Sequence, residues 1–273
     1  GIHGGGRVAS YTQPGNEFVA PFGAFTAAHF ALVAQRHLYR FPHARAGAAQ
    51  IAATIRNIGA ANPEAVMFGR GPYTAQDVLD APKVVDPFTL LDLCLASEGG
   101  AAFVVTSLER ARDLRQTPIV VLGAGMEWMR QQYVDPPRYD EVWSIGARAA
   151  DKAFGQAGLG RSDVDTAQLY DVNSIEVARQ FEALGFCGEG EGTDFALATG
   201  IGLDGKLPTC TDGGLLSFAH IGWGGPSLKI AEAVRQLRGT AGDRQVPGAE
   251  VAIAAGAGSG AQYYNLAILG RAR

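Results

Sequence analysis

The amino-acid sequence predicts a layered α/β protein built around a mixed β-sheet. Three observations point to this class. Short β-branched segments alternate with amphipathic helical segments from residue 88 onward, glycine clusters separate them, and two apolar segments flank a glycine-rich turn near the end of the chain. Alternation of strands and helices favours parallel strands, whereas a short turn joins antiparallel strands, so one sheet is expected to contain both.

Residues 1–87 are predicted to form a helical, irregular subdomain that lies over a larger body. Small and apolar residues recur at helical spacing in three segments: Ala24–Phe41, Ala44–Ile58 and Ala75–Leu79. We expect the second helix to stop at Gly59, because glycine commonly follows the last helical residue. Thr74 precedes the third helix, and its Thr-x-x-Asp spacing resembles a capping box.

From residue 88 the pattern changes to strands and helices in turn. The predicted strands are rich in small or β-branched apolar residues: Ala101–Ser107, Pro118–Gly123, Thr166–Tyr170, Ala249–Ala255 and Ala261–Leu269. The predicted helices carry their apolar residues on one face: Tyr139–Ala157, Ser174–Leu184 and Ser227–Leu237. The last two strands flank a glycine-rich turn and therefore predict a β-hairpin.

Composition excludes several classes of protein. The formal net charge is -4, so a basic face for nucleic acid is not expected. The apolar runs are much shorter than the roughly 20 residues of a membrane-spanning helix. Cys94, Cys187 and Cys210 are widely spaced, which argues against a metal site or a disulfide framework and favours a reducing, cytoplasmic setting. The chain opens without Met or a signal peptide, as expected for a start within a longer protein.

Glycine is unusually abundant. The sequence contains 37 glycines in 273 residues, nearly twice the usual share of about 7%. They are not periodic, which excludes a collagen-like repeat, and they cluster in short runs. Such runs are typical of tight turns and of places where the backbone approaches a ligand closely.

The first candidate site is the segment Gln168–Ser174, at the predicted end of a strand. In layered α/β folds, ligand sites gather in the loops that follow the strands. The phenol of Tyr170 could donate a hydrogen bond to an oxyanion, and the carboxylate of Asp171 could orient it. The structural alternative is that Asp171 or Ser174 caps the next helix and Tyr170 packs in the core.

The second candidate site is the loop Thr211–Gly225, which carries His220 among five glycines just before a helix. An imidazole titrates near neutral pH and suits proton transfer or hydrogen bonding to a substrate oxygen. The alternative is that this histidine is structural, as isolated histidines often are. The remaining histidines are predicted to be structural: His3, His29, His37 and His43.

The third glycine-rich segment is Ala254–Gly260. Its G-x-G-x-G spacing resembles part of a dinucleotide-binding motif, but it joins two strands instead of opening a helix. We therefore reject a dinucleotide-binding fold.

These three segments, in this order, resemble the thiolase superfamily, and most closely the sterol-carrier-protein-type and bacterial lipid-transfer-protein thiolases. Tyr170-Asp171 stands where members have a His-Asp-Cys-Phe, Asn-Glu-Ala-Phe or Tyr-Asp motif. Ala219-His220-Ile221 resembles their Gly-His-Pro loop, and Ala254–Gly258 their Cys-x-Gly-Gly-Gly turn. Further similarities cover four more segments: Asn62-Pro63, Ser97–Gly100, Leu184–Gly192 and Glu232–Gly239.

The resemblance implies a five-layered αβαβα fold of two similar halves, usually a homodimer, that acts on acyl-CoA in lipid metabolism or lipid transfer. Residues 1–87 would be part of the loop domain that covers the CoA site. Residues 88–273 would be the end of the N-terminal half and the C-terminal half. Coenzyme A would be a substrate or product, with no other cofactor and no metal.

The resemblance also implies roles for individual residues. His220 would polarise the thioester carbonyl, and Tyr170, held by Asp171, would be a second donor or an acid/base. Glycines in the loops would let backbone N–H groups meet the acyl group: Gly213, Gly214, Gly222, Gly256 and Gly258. Two departures stand out, because Ala254 replaces the second catalytic Cys, and none of the three cysteines has the sequence context of the nucleophile.

Three functions stay open on this basis. The first is a thiolase-like acyltransferase that makes or breaks a C–C bond by thiolysis or Claisen condensation. The second is a retro-aldolase that cleaves a β-hydroxyacyl-CoA together with a small OB-fold, zinc-ribbon partner, since a tyrosine at position 170 resembles the aldolases of bacterial steroid side-chain degradation. The third is a non-catalytic acyl-CoA or lipid carrier, or a structural subunit.

Overall fold

A computed structural model describes residues 26–129, 138–258 and 260–272. The helices are α1 Thr26–Arg40, α2 Ala44–Ala61, α3 Ala75–Asp80, α4 Leu108–Arg112, α5 Tyr139–Ala157, α6 Ser174–Ala183, α7 Gly192–Thr199 and α8 Gly225–Arg238. The strands are β1 Lys83–Val85, β2 Phe88–Thr89, β3 Ile119–Trp128, β4 Thr166–Gln168, β5 Val251–Gly258 and β6 Tyr263–Arg271. A π-helical turn covers Gly214–Phe218, and a 3₁₀ turn covers Gly222–Gly224.

Four strands form a mixed sheet in the order β3-β6-β5-β4. Strands β3 and β5 pair antiparallel with β6, whereas β4 pairs parallel with β5, with Gln168 opposite Ala254. A parallel bridge between Ala167 and Thr209 continues the sheet beyond β4. The predicted hairpin and the predicted mixed sheet are therefore confirmed.

Helix α5 lies on one face of the sheet and α8 on the other. The α5 contact is very close, because a Cβ atom at Gly123 or Gly125 of β3 would lie 2.0 or 1.9 Å from a carbonyl oxygen of the helix. Only glycine permits that approach. The predicted bounds of α5 are confirmed to the residue, and those of α6 and α8 to within two residues.

Residues 26–92 are mainly helical, as predicted for this part of the chain, and add the small antiparallel pair β1–β2. The capping box at Thr74 is confirmed, since its hydroxyl accepts from the backbone N–H of Asp77 and its own N–H donates to the Asp77 carboxylate. No helix within the described residues is long and apolar enough to cross a membrane.

Helix α2 does not stop at Gly59, which corrects the sequence-based prediction. The helix continues to Ala61, and the next residues, Asn62 and Pro63, end it. A Cβ atom at Gly59 would lie 2.3 Å from the hydroxyl of Ser217, in the loop that carries His220. This glycine therefore allows a loop to pack against the helix and does not terminate it.

The predicted strand Ala101–Ser107 is wrong. Its segment pairs with no strand among the described residues, and the side chains of Val104 and Val105 are 92% and 89% exposed. β-Branched side chains favour extended backbone, but a strand also needs a neighbour to complete its hydrogen bonds. No neighbour within the described ranges provides them.

Candidate active site

Tyr170 and His220, which belong to separate loops, lie side by side. Strand β4 ends at Gln168 and leads to Tyr170, while His220 follows the π-helical turn. The phenol oxygen of Tyr170 is 3.3 Å from Nε2 of His220, and the two rings meet edge to face. The structure thus brings together two of the three side chains predicted to be catalytic.

The backbone of Tyr170 is fixed by a buried glutamine of helix α6. Gln180 accepts from the N–H of Tyr170 at 3.1 Å through Oε1, and its Nε2 donates to the carbonyl of Tyr170 at 2.9 Å. The hydroxyl of Tyr264 also donates to Oε1 of Gln180. A fully bonded amide of this kind gives the residue that it binds a defined position.

Asp171 is completely buried, and its carboxylate bonds to the His220 loop. It accepts hydrogen bonds from the backbone N–H groups of Leu215 and Leu216, at 2.9 and 3.1 Å, and from the ammonium group of Lys229. Asp171 therefore anchors the π-helical turn, whereas the resemblance had implied that it holds Tyr170. Tyr170 thus contacts His220 itself, whereas Asp171 binds the backbone of the loop that carries it.

Two of the predicted loop glycines are required by this anchoring. Gly213 and Gly214 both have positive φ angles, +102° and +61°, which disfavour other residues. A Cβ atom at Gly214 would lie 2.0 Å from the carboxylate of Asp171, and one at Gly213 would lie 2.4 Å from Gly59. Both glycines thus serve to close the loop.

Gly256 and Gly258 lie inside strand β5 and not in the turn where the sequence analysis placed them. A Cβ atom at Gly256 would lie 2.8 Å from Pro226, and one at Gly258 would lie 2.3 Å from the ring of Tyr263. Gly256 therefore lets the start of α8 approach the sheet. Gly222, by contrast, opens the 3₁₀ turn after His220 with a φ of +62° and open space around it.

The imidazole of His220 is partly buried and packs against the first residue of α8, where a Cβ atom at Gly225 would lie 2.8 Å from the ring. Burial lowers the pKa of His220 below its ordinary value of 6.5, although a hydrogen bond to the backbone of Leu95 and the charge of Asp171 oppose this. The ring is therefore neutral at pH 7, with one nitrogen as a donor and the other as an acceptor.

A third segment joins the two loops, and the sequence analysis had noted only its last residue, Ser97, among the similarities. We call Leu93–Ser97 the bridging segment. The N–H of Cys94 donates to Val172, and that of Leu95 donates to Leu215, so the segment runs between them. Ser97 and His220 complete the contact through a backbone hydrogen bond of 2.9 Å.

The bridging segment places Cys94 against the histidine. The sulfur of Cys94 is 3.5 Å from Nδ1 of His220, on the opposite side of the ring from Tyr170. Burial, and to a smaller extent the charge of Asp171, raises the pKa of the Cys94 thiol to about 12. The side chain is therefore a thiol at neutral pH. No local motif could have revealed this contact.

Two buried charged residues, Arg56 and Asp92, fix the start of the bridging segment. The guanidinium of Arg56, in α2, donates to the carbonyls of Leu91 and Leu93 at 2.7 and 2.8 Å. Between these residues, the buried carboxylate of Asp92 accepts two hydrogen bonds from Arg45 and one from Ser174. The helical region is thus bonded directly to the strand end that carries the site.

Lys229 is a second residue that sequence reasoning missed. It lies one turn into α8, only 1% exposed, with its ammonium group bonded to Asp171 and 3.4 Å from the sulfur of Cys210. Asp171 raises the pKa of Lys229 against the effect of burial. A lysine on the apolar face of a predicted helix was the available signal, because lysine is rarely buried without a partner.

Ala254, which stands where the resemblance places a catalytic Cys, lies in β5 with its side chain toward α8. It lines a cavity of about 350 Å³ together with Met126, Pro226 and Ile230. The wall is mainly apolar, with Asn265 as its polar side chain. Of the other histidines, His37 bonds to Tyr139 and His43 to a backbone carbonyl, and His3 lies outside the described residues.

Comparisons with known proteins agree with this arrangement. Residues 138–271 match the thiolase C-terminal domain-like family. The 17-hydroxy-3-oxo-4-pregnene-20-carboxyl-CoA lyase of Mycobacterium tuberculosis is 36% identical over 92% of this chain and 65% of its own length. An acetyl-CoA acetyltransferase of Methanothermobacter thermautotrophicus is 31% identical over 88% of this chain and 62% of its own length.

A solved structure described as the Ltp2-ChsH2(DUF35) aldolase superposes with a TM-score of 0.82. It is 33% identical in sequence, and the match covers 99% of this chain and 69% of that chain. The architecture and the paired loops define a thiolase-like α/β protein, which confirms the predicted fold class. The chain belongs to the thiolase superfamily. It spans slightly less than two thirds of the length of the two curated relatives, 65% and 62%.

Proposed function

We propose that the protein containing this chain is a retro-aldolase that cleaves a β-hydroxyacyl-CoA. The observation that carries the proposal is the Tyr170–His220 pair, in which two hydrogen-bonding side chains lie 3.3 Å apart beside the end of a strand. Ala254 supplies no second catalytic thiol, and Cys94 is held as a protonated thiol. A cysteine nucleophile needs a lowered pKa, which this environment does not provide.

The reaction needs one base and one oxyanion donor. A base removes the proton of the β-hydroxyl, the Cα–Cβ bond breaks, and the β-carbon leaves as a ketone or aldehyde. The electron pair moves to the α-carbon and the thioester oxygen as an enolate, which is then protonated at the α-carbon. We assign the thioester oxygen to His220. Tyr170, held in place by Gln180, would react as its phenolate, which takes the proton of the β-hydroxyl and, as the resulting phenol, returns a proton to the α-carbon.

This chemistry consumes no free CoA, redox cofactor or metal, so we propose that coenzyme A enters only as part of the substrate and product. The name of the M. tuberculosis relative describes a steroid carboxyl-CoA, and we propose a bulky, polycyclic acyl group for this protein too. The cavity beside Ala254, with its apolar wall, supports a large acyl group.

The name of the structural relative contains a second component, ChsH2(DUF35). We propose that this protein also works with a partner subunit, which the resemblance describes as a small OB-fold, zinc-ribbon protein, and that it forms a homodimer. A reducing, cytoplasmic setting remains our proposal, supported by the free state of Cys94, Cys187 and Cys210.

The test is incubation of the full-length protein, with and without a DUF35-type partner, with a β-hydroxyacyl-CoA in the absence of free CoA. Release of a ketone or aldehyde with an intact acyl-CoA product supports the proposal. His220→Ala should lower kcat by about 100- to 1000-fold, the usual effect of losing an oxyanion donor, while circular dichroism stays unchanged.

Thiolysis or Claisen condensation is the second candidate, because the acetyl-CoA acetyltransferase is 31% identical to this chain. An absolute requirement for free CoA, with a β-ketoacyl-CoA as substrate, would favour thiolysis over the aldol reaction. Tight binding of acyl-CoA without turnover under either condition would favour the non-catalytic carrier.

A further inference from the structure

Trp223 is a large apolar residue that the fold leaves exposed in the loop of the candidate site. It is 76% exposed and belongs to the 3₁₀ turn Gly222–Gly224, which begins two residues after His220. An indole has a large apolar area that is favourable to bury. Its exposure close to His220 therefore indicates a surface that another molecule covers.

The chain places Trp223 between the imidazole of His220 and the cavity beside Ala254. His220 precedes it by three residues, and Pro226, which lines that cavity, follows it by three. Three residues span at most about 11 Å when they are extended, and the 3₁₀ turn and the start of α8 shorten these separations. An acyl group that runs from His220 toward the cavity therefore passes close to Trp223.

The turn is held on one side and has open space on the other. The N–H of Gly224 donates to the carbonyl of Ile221 at 3.2 Å. Cβ atoms at Gly99 and Gly224 would lie 2.9 and 2.8 Å from the Ile221 side chain, which therefore fills the space between them. At Gly222, no atom of the described residues other than its chain neighbours lies within 4 Å of the position of a Cβ atom. This open side has room for part of a ligand.

We propose that Trp223 determines specificity for the acyl group, with its indole as an apolar surface for the flat side of a polycyclic ring system. The inference rests on the proposed function, in which the bond that breaks lies beside Tyr170 and His220. An acetyl group ends at the α-carbon, whereas a polycyclic group continues beyond the β-carbon and can reach Trp223. A rigid ring system also loses little conformational entropy when it binds.

The alternative cover for this indole is a partner subunit. A protein–protein interface typically involves about 20–30 residues on each side. The residues next to Trp223 are glycines, which offer a partner no side chains, and the turn belongs to the same loop as His220. These features favour a small apolar ligand over a protein surface.

The direct test is equilibrium binding of two thioesters that lack the β-hydroxyl and are not cleaved, acetyl-CoA and a steroid carboxyl-CoA. In the full-length protein, we expect Trp223→Ala to raise Kd for the steroid thioester by about 10- to 100-fold, as loss of a buried aromatic contact does, and to leave Kd for acetyl-CoA unchanged. Trp223→Phe keeps a flat apolar ring and should recover most of the affinity. Equal changes for both thioesters, or no change for either, would overturn the inference.

Tryptophan fluorescence gives a second readout on the same samples. The steroid thioester should shift the wild-type emission to shorter wavelength, because the indole leaves water, and Trp223→Phe should lack this change. Trp128→Ala is the matched control, because Trp128 is 63% exposed but lies in β3, at the far end of the sheet from β4, and its Kd values should equal those of the wild type. An emission shift that persists in Trp223→Phe would refute the contact.

Cleavage and partner binding separate this inference from the proposed function. If the wild type cleaves no β-hydroxyacyl-CoA but Trp223→Ala selectively loses affinity for the steroid thioester, the reaction is wrong and the role of Trp223 stands. If cleavage occurs and Trp223→Ala binds both thioesters like the wild type, the reaction stands and the role falls. Weaker binding of the DUF35-type partner by Trp223→Ala, at unchanged Kd for the thioesters, would assign the indole to the subunit interface instead.

Discussion

The position of Tyr170 is fixed by contacts with several separate parts of the chain. Its backbone is bonded to Gln180, its hydroxyl meets His220, and the next residue, Asp171, is turned the other way to hold the loop. Tyr170 is 5% exposed, so its hydroxyl is largely shielded from water. Hydrogen bonds in such a setting are stronger than in solvent, which suits the proton transfers that we propose for Tyr170.

Tyr170→Phe removes the hydroxyl and leaves the ring packing unchanged. We expect kcat for cleavage of β-hydroxyacyl-CoA to fall by about 100- to 10,000-fold, the usual contribution of a positioned acid or base. The melting temperature should change little. The matched control is Tyr39→Phe, because Tyr39 is 78% exposed and lies on α1. Equal activity of Tyr170→Phe and wild type would remove Tyr170 from the mechanism.

Among the secondary-structure elements, the site depends on a loop that packs between the helices α2 and α8. The π-helical turn Gly214–Phe218 packs on α2 at Gly59, and Asp171 fixes its backbone while Lys229 reaches the same carboxylate from α8. A π-helical turn is uncommon and costs regular hydrogen bonding, so it persists only where neighbours hold it. Here, the neighbours are a glycine and a buried ion pair.

Gly59→Ala tests the helix–loop contact. Alanine is favoured over glycine inside a helix by about 1 kcal/mol, yet the new Cβ would lie 2.3 Å from the Ser217 hydroxyl. We expect a lower melting temperature and reduced activity. Gly155→Ala in α5 is the matched control, because the space around Gly155 is open, and it should be neutral or stabilising. A stabilised Gly59→Ala protein would contradict the proposed close fit.

Lys229→Met tests the buried ion pair. Removing the ammonium group leaves the carboxylate of Asp171 buried without its charge partner, which costs about 3–5 kcal/mol of unfolding free energy. The measurement is urea-induced unfolding. Lys152→Met, which breaks the exposed pair with Glu127, should change stability by less than about 1 kcal/mol. Similar losses of unfolding free energy in both variants would mean that the buried Asp171–Lys229 pair stabilises the fold no more than the exposed pair does.

Across the whole molecule, the helical region and the sheet are joined by buried polar contacts as well as by apolar packing. Asp92 links α2 to α6 through Arg45 and Ser174. In α1, His37 is completely buried and bonded to Tyr139 at the start of α5. The His37 contact makes the stability of the molecule depend on pH, because burial lowers the pKa of this imidazole relative to the unfolded chain.

His37 gives a prediction with a definite sign. Burial lowers its pKa from 6.5 to about 3. Below pH 6.5 the unfolded chain gains a proton that the folded protein cannot take up, so stability contributed by this residue is lost as the pH falls. Between pH 7 and 5 the wild type should lose about 2 kcal/mol more than His37→Gln, at about 1.4 kcal/mol for each pKa unit.

The check for His37 is urea-induced unfolding of both proteins at pH 7 and pH 5. Glutamine cannot titrate and can still bond to Tyr139, so the difference between the two pH values isolates the imidazole. Parallel losses in wild type and variant would assign the acid sensitivity to other groups.

The sequence alone determined the features that depend on residues close together in the chain. The bounds of α5, the capping box at Thr74 and the terminal hairpin follow from helical periodicity, a four-residue motif and a glycine-rich turn. The motif resemblance also identified the superfamily and picked out Tyr170, Asp171 and His220.

Only the tertiary structure decided how those residues are used. Cys94 and His220 are 126 residues apart, and Asp171 and Lys229 are 58 apart, so no local pattern records either contact. Gly59 looked like a helix terminator and is a packing site, and Ala101–Ser107 has strand composition without a partner among the described residues. In each case, the deciding factor is which distant backbone or charge comes within a few ångströms, and the sequence does not contain that information locally.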